Sequence, residues 1–309
     1  MKLVEGHNRV VFHKKNFLHV VAVHLVVLAA APWLFTWSAF LFAFAAIMVF
    51  GYAMGIFHHM LLTHRSFKCS PWIEKLGSLM GTLTWRGPFA GPVQYVAMHR
   101  VHHAYSDTEN DPHTPTKGIW YALLAWFWRM PYGFSSPELY DRHARDLLSN
   151  RWHVFLDRNV HLVQLAWAAI CFAGGALAPL AVGGPIDPVN GLRYVVYGVF
   201  VKTLMGWYLI NAVDVINHTI GYRNYETEED STNSFLMAFI HGGGAISWHN
   251  NHHAHMGYFT VKRRWWEFDV HRGILRFLGL FGLVSDIKVL DETRRAAHRP
   301  ARRLESMGA

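Results

Sequence analysis

"FLHVVAVHLVVLAAAPWLFTWSAFLFAFAAIMVFGYAMGIF", residues 17–57, contains no Lys, Arg, Asp or Glu. A helix needs about 20 apolar residues to cross the hydrocarbon core of a bilayer, so this stretch is long enough to cross twice. The proline inside "APWLFTWS" (31–38) interrupts it near the middle, because proline removes a backbone donor and cannot continue a helix cleanly. The sequence therefore predicts spans over about residues 17–35 and 38–57, joined by a tight turn. "VHLVQLAWAAICFAGGALAPLAV" (160–182) predicts a third span, and residues 194–216 a fourth, after the turn-rich "GGPIDPVNGLR". Two shorter apolar pieces, 118–128 and 273–284, are too short to cross and suit helices lying in the membrane interface.

These runs set the fold class: an all-α integral membrane protein with four transmembrane helices. Apolar residues make up 52% of the chain and are bunched rather than periodic, while mean hydropathy is only +0.11. Both hold if about half the chain lies in lipid and the rest forms a polar helical cap rich in histidine. No serine- or proline-rich linker divides the chain, so residues 1–309 read as one domain, with the cap drawn from 58–159 and 217–309. The formal charge of +8 fits an anionic membrane surface or an acidic ligand; the apolar runs favour these over nucleic acid. Cys69 and Cys171 are the two cysteines and lie far apart, which argues against a disulfide framework, a zinc ribbon or a fused rubredoxin-like module. The basic N-terminal stretch lacks the pattern of a cleaved signal peptide and is read as retained.

Charge then predicts sidedness. With four spans both termini share one side; of all Lys and Arg, only Arg193 falls in the opposite loops and only Lys202 within a span. Positive residues stay inside, so the termini and the segment between spans two and three of this multi-pass protein are expected in the cytoplasm.

The histidines cluster on that same face. "HHMLLTH" carries His59 and His64 just after span two, and "HRVHH" carries His99, His102 and His103. His218 follows span four, and "HNNHH" carries His249, His252 and His253. Positions i, i+3 and i+4 share a helix face, so each HxxHH is expected to present three imidazoles together. A five-residue spacing fits one face less well, and His59 and His64 are expected either to straddle a helix end or to serve different ions. His58 is read as a spectator and His113 as structural. Nine imidazoles exceed the needs of one ion and suit two; zinc has no redox chemistry, so a nitrogen-rich pair of ions is best explained by iron handling dioxygen.

The series "HHMLLTHRSF", "HRVHHAYSDTENDPH" and "WHNNHHA", with "GYRNY" after His218 and "WWEFD" at 265–269, resembles the three histidine boxes of the membrane-bound fatty acid desaturases over about residues 51–286. The resemblance implies a mushroom-shaped fold with four spans and a cytosolic cap. It also implies a centre of two iron ions that uses O2 as co-substrate to desaturate a long-chain fatty acyl group, in the manner of bacterial delta-9 enzymes. Box by box, it assigns His59, His64, His99, His102, His103, His218, His249, His252 and His253 to the metal. Four residues before His218, where the family carries an asparagine that holds an iron-bound water, this chain has Asp214, for which a catalytic role in binding the metal or bridging a water is expected. Ile246 stands where relatives commonly have a glutamate. The implied partners are a long-chain acyl-CoA or acyl-lipid, membrane lipid, and an external electron donor of ferredoxin or cytochrome b5 type with its reductase, since no HPGG-type motif is present. A hydroxylase of the same superfamily and, more distantly, a histidine-rich metal carrier are the competing readings.

Overall fold

The computed structural model describes residues 10–85, 87, 90–131 and 137–290. Both chain ends and parts of the expected cap (86, 88–89, 132–136 and 291–309) thus lie outside the described residues. What is described is mostly helical, with strands of only two or three residues and no closed sheet. The chain divides into two compact units, Met1–Arg65 with Cys69–Val215, and Ser66–Lys68 with Ile216–Ala309.

The first unit begins with the strand Val10–Phe12, which pairs antiparallel with Arg129–Pro131, Phe12 opposite Arg129. Helix α1 (Lys14–Ala30) follows, then a turn that exposes Trp33, and α2 (Trp37–Ala53), whose N-cap Thr36 accepts the backbone N–H of Ala39 at 3.2 Å. Helix α2 runs without a break into a π-helical segment, Met54–Thr63. Next come α3 (Pro71–Thr82), α4 (Pro92–Tyr105), α5 (Ile119–Leu123), α6 (Pro137–His143), α7 (Arg145–Leu148) and α8 (Arg151–Arg158). Helices α9 (Val160–Leu177), α10 (Pro188–Val195) and α11 (Lys202–Asn217) complete the helical series, with a second π-helical segment, Val196–Val201, joining the last two.

Three helices among the described residues are long and apolar enough to cross a membrane: Trp37–Thr63, Val160–Val182 and Pro188–Asn217. Only 17% of the apolar window in Val160–Val182 is buried, so its Leu162, Leu165 and Ile170 side chains face outward, as lipid-facing residues do. Helix α1, expected over 17–35, starts at Lys14 and ends at Ala30; its 17 residues amount to about 25 Å, short of the roughly 30 Å hydrocarbon thickness. The segment 118–128 differs from its expected interfacial helix. It breaks at Leu124 into α5 and a 3-10 turn, and Leu124, Trp126 and Phe127 are buried, leaving only Ile119 and Trp120 strongly exposed. The large adjacent rings of Trp126 and Phe127 gain more from filling the unit's interior than from lying at a surface.

Polar side chains on the long helices have a structural task. Gln164 Nε2 donates to Thr82 O at 3.0 Å, Lys202 Nζ to Leu83 O, and Trp207 Nε1 to Trp85 O at 2.7 Å. These carbonyls sit at or just past the end of α3, where the regular helical donors run out and Thr82 O and Trp85 O otherwise accept from the turn N–H groups of Trp85 and Gly87. Alanines of α2 make room for the second π-helical segment: Ala39 and Ala43 pack with Val196, Tyr197 and Val201, and the Tyr197 hydroxyl donates to Ala31 O at 2.9 Å.

The second unit holds α12 (Phe235–His241), α13 (Gly244–Ser247), α14 (His249–Ala254) and α15 (Val270–Leu280) around a core of Ala238, Trp248 and Val261. Helix α15 covers residues 273–280 of the expected segment 273–284, the rest being turn and strand, and is amphipathic: Leu275 is buried, while Phe277 and Leu280 are exposed.

Candidate metal centre

The π-helical segment settles the five-residue spacing. A hydrogen bond from residue i+5 to residue i, here His64 N to His59 O at 3.2 Å, means each turn takes up about one residue more than the 3.6 of an α-helix. His59 and His64 therefore return to one side, with His64 as the C-cap, and belong to one group rather than two. Helix α3 backs this segment at close range. A Cβ on Gly77 would lie 2.2 Å from the Phe57 ring, and one on Gly81 would lie 2.8 Å from His58 Nε2. His58 points to α3, its Nε2 3.0 Å from Ser78 O, and so is the spectator expected.

On α4 the three histidines do not face one way, contrary to expectation. Successive residues of a helix rotate by about 100°, so i+4 and i+3 fall on opposite sides of residue i. His99 and His103 turn together, with their Nε2 atoms 3.0 Å apart, and join His59 and His64; each of the four offers a ligand nitrogen, all within 4.8 Å of one another. His102 turns the other way. Its Nδ1 lies 3.1 Å from both oxygens of fully buried Asp111, and its ring stacks on His113 with centroids 4.4 Å apart. Asp111 is itself held by the backbone N–H groups of Asp107 and His113, at 3.0 and 3.1 Å. A carboxylate on Nδ1 fixes the ring and directs Nε2 outward as the ligand atom. Asp214, one turn before the end of α11, has Oδ2 3.4 Å from His113 Nδ1.

Electrostatics separate these rings. Burial, and then the neighbouring His103, Arg100 and His102, hold His64 well below its ordinary value; burial, then His59, His103, His64 and His102, do the same to His99. Both are thus neutral imidazoles at physiological pH, the form that binds metal. His102 is opposite: burial pulls it down, but the Asp111 carboxylate, with Asp214 and Asp107, pushes it up to about 9.

In the second unit His249 and His253 of α14 repeat the i, i+4 pairing. His249 Nε2 lies 3.1 Å from His253 Nε2 and 3.1 Å from His218 Nε2, and the three ligand nitrogens lie within 4.8 Å. His252 again diverges, its ring centroid 6.1 Å from that of His249 and 5.9 Å from that of His253. The asparagines between the histidines anchor the helix. Asn250 Oδ1 accepts the N–H groups of Asn224 and Tyr225, at 2.8 and 2.9 Å. Asn251 Nδ2 donates to Glu267 Oε2 at 2.9 Å, and its Oδ1 accepts from the side chains of Asn224 and Asn233 at 2.9 Å each. Glu267, of "WWEFD", also accepts from the Tyr222 hydroxyl and Asn224 Nδ2, both at 2.7 Å, and from the N–H groups of Arg263 and Arg264. Asp111, Glu267 and Asn251 were assigned no role from sequence. The signals were there, in "DPH", in "WWEFD" and in the two residues inside HNNHH, but a positioning residue touches no metal and has no spacing rule.

Three or four buried imidazole nitrogens converging on one point suit a divalent transition metal, and imidazole suits iron, copper and zinc alike. The donor set in each unit therefore fits a metal ion.

Comparison with known proteins extends this. Residues 13–283 match the family described as fatty acid desaturase. The chain is 32% identical over 278 residues to the sn-1 stearoyl-lipid 9-desaturase of Synechocystis sp., covering 89% of this chain and 80% of that protein. It is 30% identical over 291 residues to the acyl-CoA 5-desaturase AL21 of Anemone leveillei, covering 92% and 83%. It is also 30% identical over 278 residues to the delta-9 acyl-lipid desaturase 1 of Arabidopsis thaliana, covering 88% and 82%.

Proposed function

This chain belongs to the fatty acid desaturase family, and we propose that it places a double bond at the delta-9 position of a long-chain fatty acyl group, carried on lipid or coenzyme A. The convergence of His59, His64, His99 and His103, and separately of His218, His249 and His253, carries this reading. The nine histidines named from the sequence are assigned to two iron ions. When bound, the irons supply the activation of dioxygen that removing hydrogen from an unactivated methylene demands. The overall change balances as two hydrogens from adjacent methylenes, one O2, two electrons and two protons giving the double bond and two waters.

The chain's own residues set the conditions. The neutral state of His64 and His99 offers lone pairs at physiological pH. Asp111 holds a proton on His102 Nδ1, and the second proton, on Nε2, must be displaced before that nitrogen can serve as a ligand to iron. Asp214, whose Oδ2 lies 3.4 Å from His113 Nδ1, is assigned to binding the metal or bridging a water at it. Burial of these rings excludes water from the oxidation.

In the membrane, α1, lengthened by the turn after it in which Ala31 N and Leu34 N keep helical bonds to Val27 O and Ala30 O, serves as a fourth span alongside the three long helices, within a single domain. The histidine-bearing segments and both termini face the cytoplasm of a bacterial inner membrane. Electrons come from a separate ferredoxin or cytochrome b5 type donor with its reductase. The test is expression in a host lacking its own desaturase, with fatty acid profiling of the wild type beside His102→Ala and Asp214→Asn. The wild type should yield acyl chains lighter by two hydrogens, and His102→Ala none. Gain of an oxygen atom would indicate hydroxylation, and full activity with full iron content in Asp214→Asn would remove that residue from the reading.

A further inference from the structure

Arg100, between two of the metal-directed histidines of α4, reaches away from them to the end of the π-helical segment. There His64 N already takes His59 O, and Arg65 N takes Leu61 O at 3.0 Å. The carbonyls of the two intervening residues are taken by Arg100: Nη2 donates to Leu62 O at 2.9 Å and to Thr63 O at 3.2 Å, and Nε donates to Thr63 O at 3.3 Å. The other arm of the guanidinium donates to His143 O, at the end of α6, at 2.8 Å. Both arms grip Asp146, Nη1 to Oδ1 at 2.8 Å and Nη2 to Oδ2 at 3.1 Å. Asp146 in turn accepts from Arg65, the residue directly after His64, whose backbone is left-handed with φ 51°.

We propose that Arg100, tied by Asp146, is a positioning residue that sets the distance between His64 and the His99–His103 pair and so fixes the affinity of that group for its iron. The inference rests on the iron assignment proposed above. His59 and His64 belong to one segment and His99 and His103 to another, so their common point exists only while the two are held in register. Arg100 is rooted on the second segment and bonded to the backbone of the first, immediately beside His64. The planar fork suits this task, because its donors diverge in one plane toward several acceptors; a lysine ammonium is a single point that cannot span both carbonyls, His143 O and both carboxylate oxygens.

The test uses full-length protein purified in detergent and titrated with ferrous iron, with Mössbauer spectra of the loaded forms. In Arg100→Lys, one of the two irons should bind about 10–100-fold more weakly, the range seen when partners that orient metal ligands are lost. The spectrum of that iron alone should change. Asp146→Asn, which leaves the carbonyl contacts in place, should weaken the same iron by a smaller factor, and it stands in if Arg100→Lys does not fold. Unchanged affinity and spectrum would overturn the proposal, as would equal weakening of both irons together with a lowered melting temperature, the mark of a merely structural role. A wild-type protein that takes up no iron would defeat the iron assignment as well; two irons in the wild type with variants indistinguishable from it would defeat the clamp alone.

Discussion

Replacing Glu267 by glutamine is nearly isosteric, yet it strikes the acceptor on which the second histidine-bearing helix depends. The wild-type carboxylate is fully buried and accepts five hydrogen bonds: two on Oε1, from Tyr222 and Asn224, and three on Oε2, from Asn251 and the N–H groups of Arg263 and Arg264. A glutamine has one acceptor oxygen, which satisfies most donors in the Oε2 position. Its amide nitrogen then faces Tyr222, whose hydroxyl can rotate to accept, and Asn224 Nδ2, which cannot. Asn224 is fixed in orientation because its Oδ1 accepts from Arg264 Nε at 2.6 Å while its Nδ2 also donates to Asn251. One buried donor is thereby opposed, at about 1–3 kcal/mol, and the remaining bonds lose the strengthening that a charged acceptor provides, so the total is about 3–5 kcal/mol. Because Asn251 lies within α14, the loss falls on the helix bearing His249 and His253. Amide hydrogen exchange over residues 249–254 should accelerate by at least about 100-fold, since each 1.4 kcal/mol is tenfold when exchange proceeds by opening. Exchange within threefold of wild type in that helix would refute the claim that Glu267 holds it.

Asp157 accepts the N–H groups of Val93 and Gln94 at 3.0 Å each, at the start of α4, and burial raises its carboxyl to about 6 against the pull of those two donors. A folded value above the unfolded one means stability is greatest below about 4 and is lost as pH rises through 6, by up to about 3 kcal/mol. Asp157→Asn keeps an acceptor and should therefore melt higher than wild type at pH 7.5, with the advantage vanishing toward pH 4; a lower melting point at pH 7.5 would contradict this. Gly77→Ala should destabilise despite the better helix propensity of alanine, worth about 1 kcal/mol, because its Cβ would sit 2.2 Å from the buried Phe57 ring and such overpacking costs up to about 3 kcal/mol; thermal unfolding in detergent reads the sign. Asp111→Asn removes the anion that orients His102 and should weaken iron binding about 10–100-fold in a ferrous titration with the fold retained by circular dichroism.

The long apolar runs and the histidine spacings were legible in the sequence because each follows a rule of period or length. The π-helical segment was not, since "MGIFHHMLLT" suits an α-helix equally well and the wider register shows only in backbone bonds such as His64 N to His59 O. Nor was the divergence of His102 and His252 from their neighbours. HxxHH fixes the angles between side chains but not which of them a buried carboxylate such as Asp111 will claim. The burial of Trp126 and Phe127 escaped for the reverse reason: a short apolar run reads identically at a lipid surface and in an interior, and the break at Leu124 decided it.

The carbonyls at the end of α3 are met by donors that lie far downstream, Gln164 at a separation of 82 residues, Lys202 at 119 and Trp207 at 122. During synthesis, α3 leaves the ribosome long before any of them exists. Until then its last turn has only its own local backbone bonds, such as Trp85 N to Thr82 O, and lacks the three side chains that tie it to the long helices, so it cannot take its final seat early. Maturation of this half of the molecule is therefore ordered from the C-terminal side, and a ribosome stalled before Lys202 would leave a nascent chain with both early apolar segments made but α3 still undocked.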